Sequence, residues 1–452
     1  MRRSQFGAFL LLFLVVAAFA LWASGQKEPA TQSTSAAPSG AFDWKRYSGQ
    51  TIQFLADDNP VGQLLQQHAS EFTALTGIQV TVSLYSEQQF RQRLQTILQA
   101  KSSDVDLFMS LVSLEGKTYA KAGWYTDIYP LVKNTSLTSP DYNFSDFGSG
   151  VIKSNEESGQ LTGVPMNIEG PVLYYRTDVF QKCGISPPTK LEDLPVIAQK
   201  LKSCAPNMIP IASRGLAAAV PYTFSNFFHN FGGAYQDAQG MSNLSTPQGI
   251  QAIDFYAKLL KDYGPPGVIN YSFPQLTAAY SNGQTAMSFE SSNEFGGIMK
   301  SGARTNDTAI TVLPPGPAGS VPVVIGWELS ISAFSQKTNP AWYFLQWAST
   351  KDMEVTLGLQ GLAPPRTSVW DDPKFVDWLN QVPVRKQWAS ALSTLAKTGS
   401  GLLAPQILLQ PQSRQIIGQA VGSVVLGQAS AAQAAKSADD QINALIKQSG
   451  NQ

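Results

Sequence analysis

Cysteine and histidine are scarce in this chain of 452 residues, which contains two of each. Cys183 and Cys204 have no histidine near them in the sequence, so the ligand set of a zinc site is missing. His68 lies in a helix-like segment and His229 in an aromatic run, and no G-x-S-x-G motif accompanies them. Hydrolysis through a Ser-His-Asp arrangement is therefore not indicated, and both histidines are interpreted as packed or solvent-tipped residues.

An excess of one charge is also lacking, because 32 Lys and Arg residues face 32 Asp and Glu residues. The basic residues form no blocks, which argues against nucleic acid as a partner. No glycine-rich phosphate loop follows the first predicted strand, so a nucleotide is not expected. The sequence gives no sign of a cofactor.

The N-terminus has the pattern of a secretory signal peptide. Arg2 and Arg3 precede an apolar run over 6–22, and small residues follow at 23–25. We predict a cleaved signal peptide over 1–25 and a disordered, small and polar leader over 26–41. An uncleaved membrane anchor is the alternative. No cysteine stands at the cleavage point, so we expect a periplasmic or extracellular protein without a lipid anchor.

The rest of the chain, about 410 residues, is too long for one core and predicts two domains. Cys183 and Cys204 follow helix-like segments and could form one disulfide in an oxidising compartment. Two free thiols are the alternative.

The first part of the mature chain alternates strands and helices. "TIQFLA", "IQVTVSLY" and "VDLFMSL" have strand patterns, and the two segments between them have helical spacing. This βαβαβ order predicts a parallel sheet, whose ligands bind beyond the carboxyl ends of the strands. The loops at 57–59, 85–87 and 110–113 are therefore candidate ligand loops.

Acidic residues at or beside strand ends leave an enzymatic alternative open. Two carboxylates on either side of a sugar can make a glycoside hydrolase. Glu169, in "GVPMNIEGPVLYYRTDVF", could be a catalytic acid, a ligand acceptor or a solvated turn residue. The acids in question are Asp57, Asp58, Glu169, Glu290, Glu294 and Glu328.

Aromatic residues at strand ends and turns are a second indication of a ligand. Sugars and polyols need apolar rings for their C–H faces and polar groups for their hydroxyls. The alternative is that each ring belongs to a core. These rings are Tyr174, Tyr175, Tyr222, Phe295 and Trp327.

Several segments, over about residues 50–430, resemble the extracellular solute-binding proteins of family 1, the sugar-binding components of ABC importers. "YAKAGWYTDIYPLV" resembles the family segment "AGxLxDLTPLV". "GQLTGVPMNIEGPVLYYRTDVFQKCGISPPTKLEDL" is similar to "GKLYGLPxxxxxxxLYYNKDLFKKAGLxPPKTWDEL". "PQLTAAYSNGQTAMSFES" and "GLAPPRTSVWDDP" also match family motifs.

The resemblance implies an α/β, two-lobe periplasmic-binding-protein (Venus-flytrap) fold. Each lobe would hold a mixed sheet flanked by helices, and hinge crossings would join the lobes. The crossings are expected at 168–171, 326–330 and 372–374. The expected N-lobe covers 42–168 and 330–373, and the expected C-lobe covers 172–326 and 375–452.

Ligand-binding residues follow from the strand ends and from the resemblance. The loop Asp57-Asp58-Asn59 matches the family's first ligand loop, and Glu169 matches an acid at the hinge. Ser110 and Ser113 stand where relatives often have Trp or Asp, which favours a small or strongly hydroxylated ligand. The full expected set is Asp57, Asp58, Asn59, Ser110, Ser113, Glu169, Tyr222, Glu290, Asn293, Phe295, Trp327, Arg366 and Arg414.

The expected function is that of a monomeric binding protein, not an enzyme. It would capture a small carbohydrate or polyol between closing lobes and deliver it to the permease subunits of an ABC transporter. A secreted glycoside hydrolase and a sensory binding module are the alternatives.

Overall fold

The computed structural model describes residues 40–300 and 302–450. The predicted signal peptide and almost all of the predicted leader lie outside these residues. The strands are β1 (Thr51–Asp57), β2 (Gln79–Tyr85), β3 (Leu107–Ser110), β4 (Glu156–Glu157), β5 (Gln160–Leu161), β6 (Val164–Pro165), β7 (Pro171–Arg176), β8 (Ile209–Ala212), β9 (Thr285–Ser291), β10 (Thr308–Thr311) and β11 (Glu328–Ile331).

The helices surround these strands. They are α1 (Pro60–Thr76), α2 (Glu87–Gln99), α3 (Lys117–Lys121), α4 (Tyr129–Lys133), α5 (Ser149–Ser154), α6 (Thr177–Lys182), α7 (Asp193–Cys204), α8 (Val220–Asn230), α9 (Pro247–Tyr263), α10 (Phe273–Ser281), α11 (Phe295–Met299), α12 (Ala303–Asp307), α13 (Thr338–Ala348), α14 (Lys351–Gly358), α15 (Pro373–Asn380), α16 (Pro383–Thr398), α17 (Gln410–Val425) and α18 (Ala431–Gly450). None within the described ranges is both long and apolar enough to cross a bilayer.

The N-lobe is organised around a mixed sheet with the strand order β2-β1-β3-β11-β6. Strands β2 and β3 run parallel to β1, which confirms the predicted βαβαβ unit, and β11 is antiparallel to both β3 and β6. Helices α1 and α13 pack on the sheet through aromatic rings. The Phe344 ring lies 5.6 Å from Phe54 of β1 and 5.2 Å from Phe72 of α1. This core fixes the strand ends that carry ligand loops.

Helix α1 begins and ends at residues suited to those positions. Asn59 caps its first turn, and Pro60 follows, where a missing N–H leaves no gap in the helix. Gly77 ends it with a φ of 73°, a left-handed conformation that disfavours other residues. A Cβ at position 77 would also meet the Ser48 side chain at 2.1 Å. The cap at Asn59 holds this residue beside the end of β1.

The C-lobe has a second mixed sheet, in the order β10-β7-β9-β8. Strand β7 is antiparallel to β10 and β9, whereas β8 runs parallel to β9. Aromatic contacts join the sheet to α8 and α9, with Phe227 lying 5.0 Å from Tyr256 and 5.6 Å from Phe289. The two mixed sheets flanked by helices confirm the predicted fold class.

Two crossing segments pass between the sheets and pair with each other. The first runs over 166–170, between β6 and β7, and the second over 323–327, before β11. Glu169 and Ile325 exchange two backbone hydrogen bonds of 2.8 Å each. Glu328 and Ser330 pair with β3 in the first sheet. The predicted lobe boundaries at 326 and 330 stay a prediction.

At the third predicted boundary, near 372–374, the chain does not pass from one hydrophobic cluster to another. Phe375 of α15 belongs to a cluster that also contains Val355 of α14 and Trp388 of α16. The same cluster includes Val172 and Tyr174 of the C-lobe strand β7. The third crossing at 372–374 stays a prediction.

Cys183 and Cys204 form a disulfide that closes a loop of the C-lobe. Cys183 follows α6, and Cys204 is the last residue of α7, with a separation of 21 residues. The bond therefore ties the ends of two consecutive helices together. Such a crosslink restricts mainly the unfolded chain.

We expect the double variant Cys183→Ser/Cys204→Ser to unfold with a free energy about 3 kcal/mol lower than that of the wild type, because the unfolded chain gains the entropy of an open loop. Urea denaturation followed by tryptophan fluorescence measures this difference. Adding a reductant should destabilise the wild type and leave the double variant unchanged. Equal stability of the two oxidised proteins would contradict the prediction.

Candidate functional site

The N-lobe wall of the candidate site is built where β1 ends. The Asn59 side-chain oxygen accepts from the Gly62 N–H at 3.1 Å, and its amide donates to Asp57 Oδ2 at 3.1 Å. Asp57 Oδ1 is buried and has no hydrogen-bond partner among the described residues. Burial, and then the nearby Glu87 carboxylate, raise the pKa of Asp57 well above its usual value. Because buried polar atoms are normally paired, this oxygen is available to a ligand.

A partly buried ion-pair network supports the next part of the same wall. Glu87, the first residue of α2, pairs with Arg91 one turn later, with 3.0 Å between Oε1 and the guanidinium. Arg91 also lies 2.6 Å from a carboxylate oxygen of Glu115 and 5.4 Å from the centroid of the Trp327 ring. Burial by itself would raise the pKa of Glu87, but Arg91 and then Arg414 lower it overall. Glu87 therefore presents an ionised carboxylate to the cleft.

The first crossing contributes an acid at the hinge. Glu169 is buried, and its Oε2 accepts a hydrogen bond from Ser291 Oγ, at the end of β9, at 2.6 Å. Burial raises the pKa of Glu169 to about 7, against the lowering effect of that hydrogen bond. Beside it, the Asn167 amide donates to Asn293 Oδ1 at 3.0 Å, and its oxygen accepts from the Trp327 N–H at 2.8 Å. Glu169 is thus held between the crossings and the C-lobe.

The C-lobe wall centres on a buried ion pair. Arg214 Nε donates to Glu290 at 3.0 Å, and the Arg214 guanidinium lies 4.2 Å from the centroid of the Tyr222 ring. The Tyr222 hydroxyl is buried beside Ser291 and forms no hydrogen bond of good geometry with a described residue. Glu294 accepts from Thr277 Oγ1 at 2.8 Å, and burial, followed by the Glu290 carboxylate, raises its pKa to about 8. The wall therefore combines an aromatic ring with groups that can bind hydroxyls.

Arg414, on α17, also lines the cleft, and among the described residues its guanidinium group forms no ion pair. It is 5% exposed, and its Nε has no hydrogen-bond partner within the described part of the chain. Burial lowers its pKa to about 10, so it stays charged at neutral pH. A buried cation without a partner is costly, and a ligand oxygen would relieve that cost.

These walls enclose a narrow cleft between the sheets, with about 460 Å³ of empty space, its open side included. A wider space at its mouth shares Glu87, Phe273 and Arg414 with it. The residues that line the cleft are Asp57, Asn59, Pro60, Glu87, Leu111, Glu169, Arg214, Tyr222, Phe273, Ser291, Asn293, Glu294, Ile325, Trp327, Leu403 and Arg414.

Seven of the predicted ligand-binding residues meet in this cleft: Asp57, Asn59, Glu169, Tyr222, Asn293, Trp327 and Arg414. Asp58 lies at its mouth, where its carboxylate accepts from the Gln63 side chain at 2.9 Å. Glu290 does not line the cleft, and its role is to hold Arg214. Residues on both sides of the crossings and on the first crossing thus meet in one cleft, and their role in ligand binding stays a prediction.

The two predicted serines lie elsewhere. Ser110 is fully buried and its hydroxyl is 2.6 Å from the Tyr125 hydroxyl, inside the N-lobe. Ser113 lines a different cavity, behind the crossings, and its carbonyl accepts from the Gln410 amide of the C-lobe at 2.7 Å. These residues support the fold and the contact between the lobes, so their placement in the ligand site is corrected.

Phe295 and Arg366 are also displaced from the predicted site. Phe295 stacks on Trp388, with 5.2 Å between ring centroids, in the core of the C-lobe. Arg366 is 1% exposed and donates to the backbone carbonyls of Tyr142 and Asn143, both at 2.9 Å. All these contacts lie away from the cleft, so Arg366 is a structural residue and not a ligand donor.

Several lining residues were not named from the sequence as ligand residues. Arg214 stands two residues after β8, in "IPIASRG", and the rule that ligands bind beyond strand ends would have found it. Glu87 lies in one of the three candidate loops. Ser291 ends β9 directly before Ser292, but its hydrogen bond to Glu169 spans 122 residues of sequence. No local pattern indicates a pairing of that kind.

The chemistry of the cleft is that of hydrogen bonding to a polar ligand. It offers carboxyl groups, amides, a guanidinium and a tyrosine hydroxyl beside the rings of Tyr222, Phe273 and Trp327. Within residues 40–300 and 302–450, no cluster of His, Cys, Asp and Glu side chains is arranged to hold a metal ion. The arrangement suits a small ligand with several hydroxyl groups.

Comparison with known proteins gives a consistent picture. The family model described as bacterial extracellular solute-binding protein matches residues 56–355. The erythritol/L-threitol-binding protein of Mycolicibacterium smegmatis is 28% identical over 353 residues, which are 74% of this chain and 74% of that protein.

Solved structures of two ABC transporter solute-binding proteins have the same fold. One, from Agrobacterium radiobacter K84 in complex with ribitol, has a TM-score of 0.78 and 24% identity, over 88% of this chain and 99% of that one. The other, from Agrobacterium vitis S4 with bound D-mannitol, has a TM-score of 0.78 and 21% identity, over 89% and 99% of the two chains.

Proposed function

This chain belongs to the family of bacterial extracellular solute-binding proteins, and we propose that it captures a short linear polyol between its two lobes and delivers it to the permease of an ABC importer. The family consists of binding proteins, so the glycoside hydrolase alternative is set aside. The acids at the strand ends then serve as hydrogen-bonding groups and not as catalysts.

The observation that carries the proposal is a set of buried polar atoms that face the cleft without a hydrogen bond of good geometry. These are Asp57 Oδ1, the Tyr222 hydroxyl and Arg414 Nε, as far as the described residues show. A polyol has a hydroxyl on every carbon, and each hydroxyl both donates and accepts. It can therefore satisfy an acid, a phenol and a guanidinium that are placed around one chain of carbon atoms.

Similar structures also hold sugars such as tagatose and maltose, but the relatives of higher identity favour a polyol. Proteins similar to this chain are named for, or crystallised with, erythritol, ribitol and mannitol. The cleft is also narrow, because only about 40 Å³ of it is open to the centre of a water-sized sphere. Ring faces are present, but they are accompanied by many polar groups, which suits a ligand with hydroxyls along its whole length.

Capture follows from the division of the site between the lobes. Asp57, Asn59 and Glu87 belong to the N-lobe, whereas Tyr222 and Arg414 belong to the C-lobe. A polyol bound to one lobe gains the hydrogen bonds of the other when the lobes close about the crossings. The ligand favours the closed state only by its higher affinity for that state. The closed form would then be the one that a permease binds.

A thermal-shift screen with erythritol, ribitol, mannitol and common sugars tests the proposal. A polyol present at 100 times its dissociation constant should stabilise the protein by about 2.7 kcal/mol, because it binds the folded state only. Sugars of larger size serve as the comparison. Stabilisation by none of the polyols would contradict the proposed ligand class.

The variants Glu169→Ala and Tyr222→Ala should each weaken binding of the best polyol by about 1–3 kcal/mol, because each leaves ligand hydroxyls without a partner. Titration calorimetry measures the change. Tyr263→Ala, a tyrosine outside the cleft that contacts Gln199, is the matched control and should bind as the wild type does. Unchanged affinity in both cleft variants would remove this site assignment.

A further inference from the structure

Carboxyl groups outnumber guanidinium groups in and directly behind the cleft. Two of the guanidinium groups are already paired. Arg91 contacts both Glu87 and Glu115, and Arg214 contacts Glu290, with carboxylate oxygens 2.5–3.0 Å from the guanidinium nitrogens in each case. Neither guanidinium forms a direct ion pair with the other acidic residues of the cleft among the described residues. From a distance, and against the larger raising effect of burial, Arg91 lowers the pKa of Asp57, and Arg214 lowers those of Glu169 and Glu294.

Three carboxyl groups of the cleft have no cation partner among the described residues. Asp57 is bound to the Asn59 amide, Glu169 to the Ser291 hydroxyl and Glu294 to the Thr277 hydroxyl. Each is at most 7% exposed. Arg414 faces the same cleft as a single guanidinium outside the described ion pairs.

We propose that these unpaired carboxyl groups make the cleft select uncharged polyols and reject polyols that carry a carboxylate. Asp57, Glu169 and Glu294 are the residues that set this selection. The inference rests on the proposed function, because it concerns the ligand of the same cleft.

The selection follows from what each ligand group can do. A hydroxyl donates to a carboxylate and accepts from a protonated carboxyl, so it satisfies either form of an acid. A ligand carboxylate can only accept, and it meets like charge in a site from which water is excluded. Arg414 can neutralise one such charge, but three buried acids oppose it.

Protonation of these acids modulates the effect. Burial raises the pKa of Glu169 to about 7 and that of Glu294 to about 8. Both acids are therefore more ionised at pH 8.5 than at pH 6, and rejection of an anionic polyol should be stronger at the higher pH. The other charged and titratable groups near them are Asp57, Glu87, Glu290, Arg214, Arg414 and Tyr222.

Ribitol and D-ribonate give a matched pair of probes, since they share a carbon chain and differ at one end, where ribonate has a carboxylate. We expect ribitol to bind the wild type at least about tenfold more tightly at pH 8.5, as measured by titration calorimetry. Equal affinities, or tighter binding of ribonate, would overturn the charge selection and leave polyol binding intact. Binding of neither probe, nor of the mannitol and D-mannonate pair or the erythritol and D-erythronate pair, would instead overturn the proposed function and the selection with it.

Variants assign the selection to particular residues. Glu169→Gln and Glu294→Gln remove a charge and retain a polar side chain of the same shape. Each should reduce the ribitol-to-ribonate affinity ratio by at least about threefold. Glu354→Gln is the matched control, because Glu354 is a fully buried acid of α14 that does not line the cleft, and its ratio should equal that of the wild type.

The ribitol-to-ribonate affinity ratio is measured for each variant separately. A substitution that weakens the binding of both ligands equally therefore leaves the ratio unchanged. A ratio that stays at the wild-type value in both cleft variants would overturn the assignment to these residues. A ratio that also falls in Glu354→Gln would show an effect of buried charge in general, and would overturn it as well.

Discussion

Replacing Arg214 by Met is expected to lower the free energy of unfolding by about 3–5 kcal/mol, because it leaves the Glu290 carboxylate buried without a cation. Glu290 is 1% exposed, and Arg214 makes contacts of 2.5–3.0 Å with both of its oxygens. The same substitution removes the guanidinium that lies over the Tyr222 ring. Chemical denaturation measures the loss of stability.

A double variant distinguishes a broken pair from a general packing defect. Arg214→Met/Glu290→Met removes both charges, and replacing a buried pair by apolar residues is often neutral. We therefore expect it to recover most of the stability that Arg214→Met loses. Polyol affinity should stay reduced, because the cleft still lacks the Arg214 guanidinium. A double variant as unstable as the single one would show that the ion pair is not the cause.

Replacing Arg366 by Met is expected to lower the free energy of unfolding by about 3 kcal/mol or more, because several buried acceptors of the N-lobe lose their donor. Polyol affinity should stay within about twofold of the wild type, because Arg366 does not line the cleft. The Arg366 guanidinium lies 4.1 Å from the centroid of the Phe147 ring and 3.4 Å from Asp146 Oδ2. It also donates to the Ser349 carbonyl at 2.5 Å.

Two measurements on the same variant separate these effects. Urea denaturation reports the stability, and calorimetry at a low temperature, where the variant is folded, reports the affinity. Asp58→Ala, at the exposed mouth of the cleft, should leave the stability nearly unchanged and serves as the control. A loss of affinity of tenfold or more in Arg366→Met, without loss of stability, would restore Arg366 to the ligand site.

The parts of the site that local pattern determines were predictable from the sequence. Alternating strands and helices gave the parallel order of β1, β2 and β3, and the strand-end rule then led to Asp57, Asn59 and the loop of Glu87. The first crossing was visible in the motif around Glu169. Its side chain faces the cleft in the structure, which argues against the solvated-turn interpretation.

Side-chain contacts between residues far apart in the sequence could not be predicted. The Arg366 motif matches the family, yet the sequence does not reveal that carbonyls near residue 142, more than 200 positions earlier, accept from this guanidinium. Ser110 ends β3 as predicted, but its hydroxyl turns to Tyr125. Arg214 pairs with Glu290 across 76 residues, between two strands that are adjacent only in the folded sheet. Side-chain partners of this kind depend on the tertiary fold.

Titration of ribitol, erythritol and mannitol into the wild-type protein, with Arg414→Met in parallel, tests the central claim most directly. We predict saturable binding of at least one of these polyols at one site of the wild type. Arg414→Met should bind that polyol at least about tenfold more weakly, because the polyol hydroxyls lose a buried, charged donor. Absence of saturable binding of all three to the folded wild-type protein, or undiminished affinity in Arg414→Met, would contradict a polyol site in this cleft.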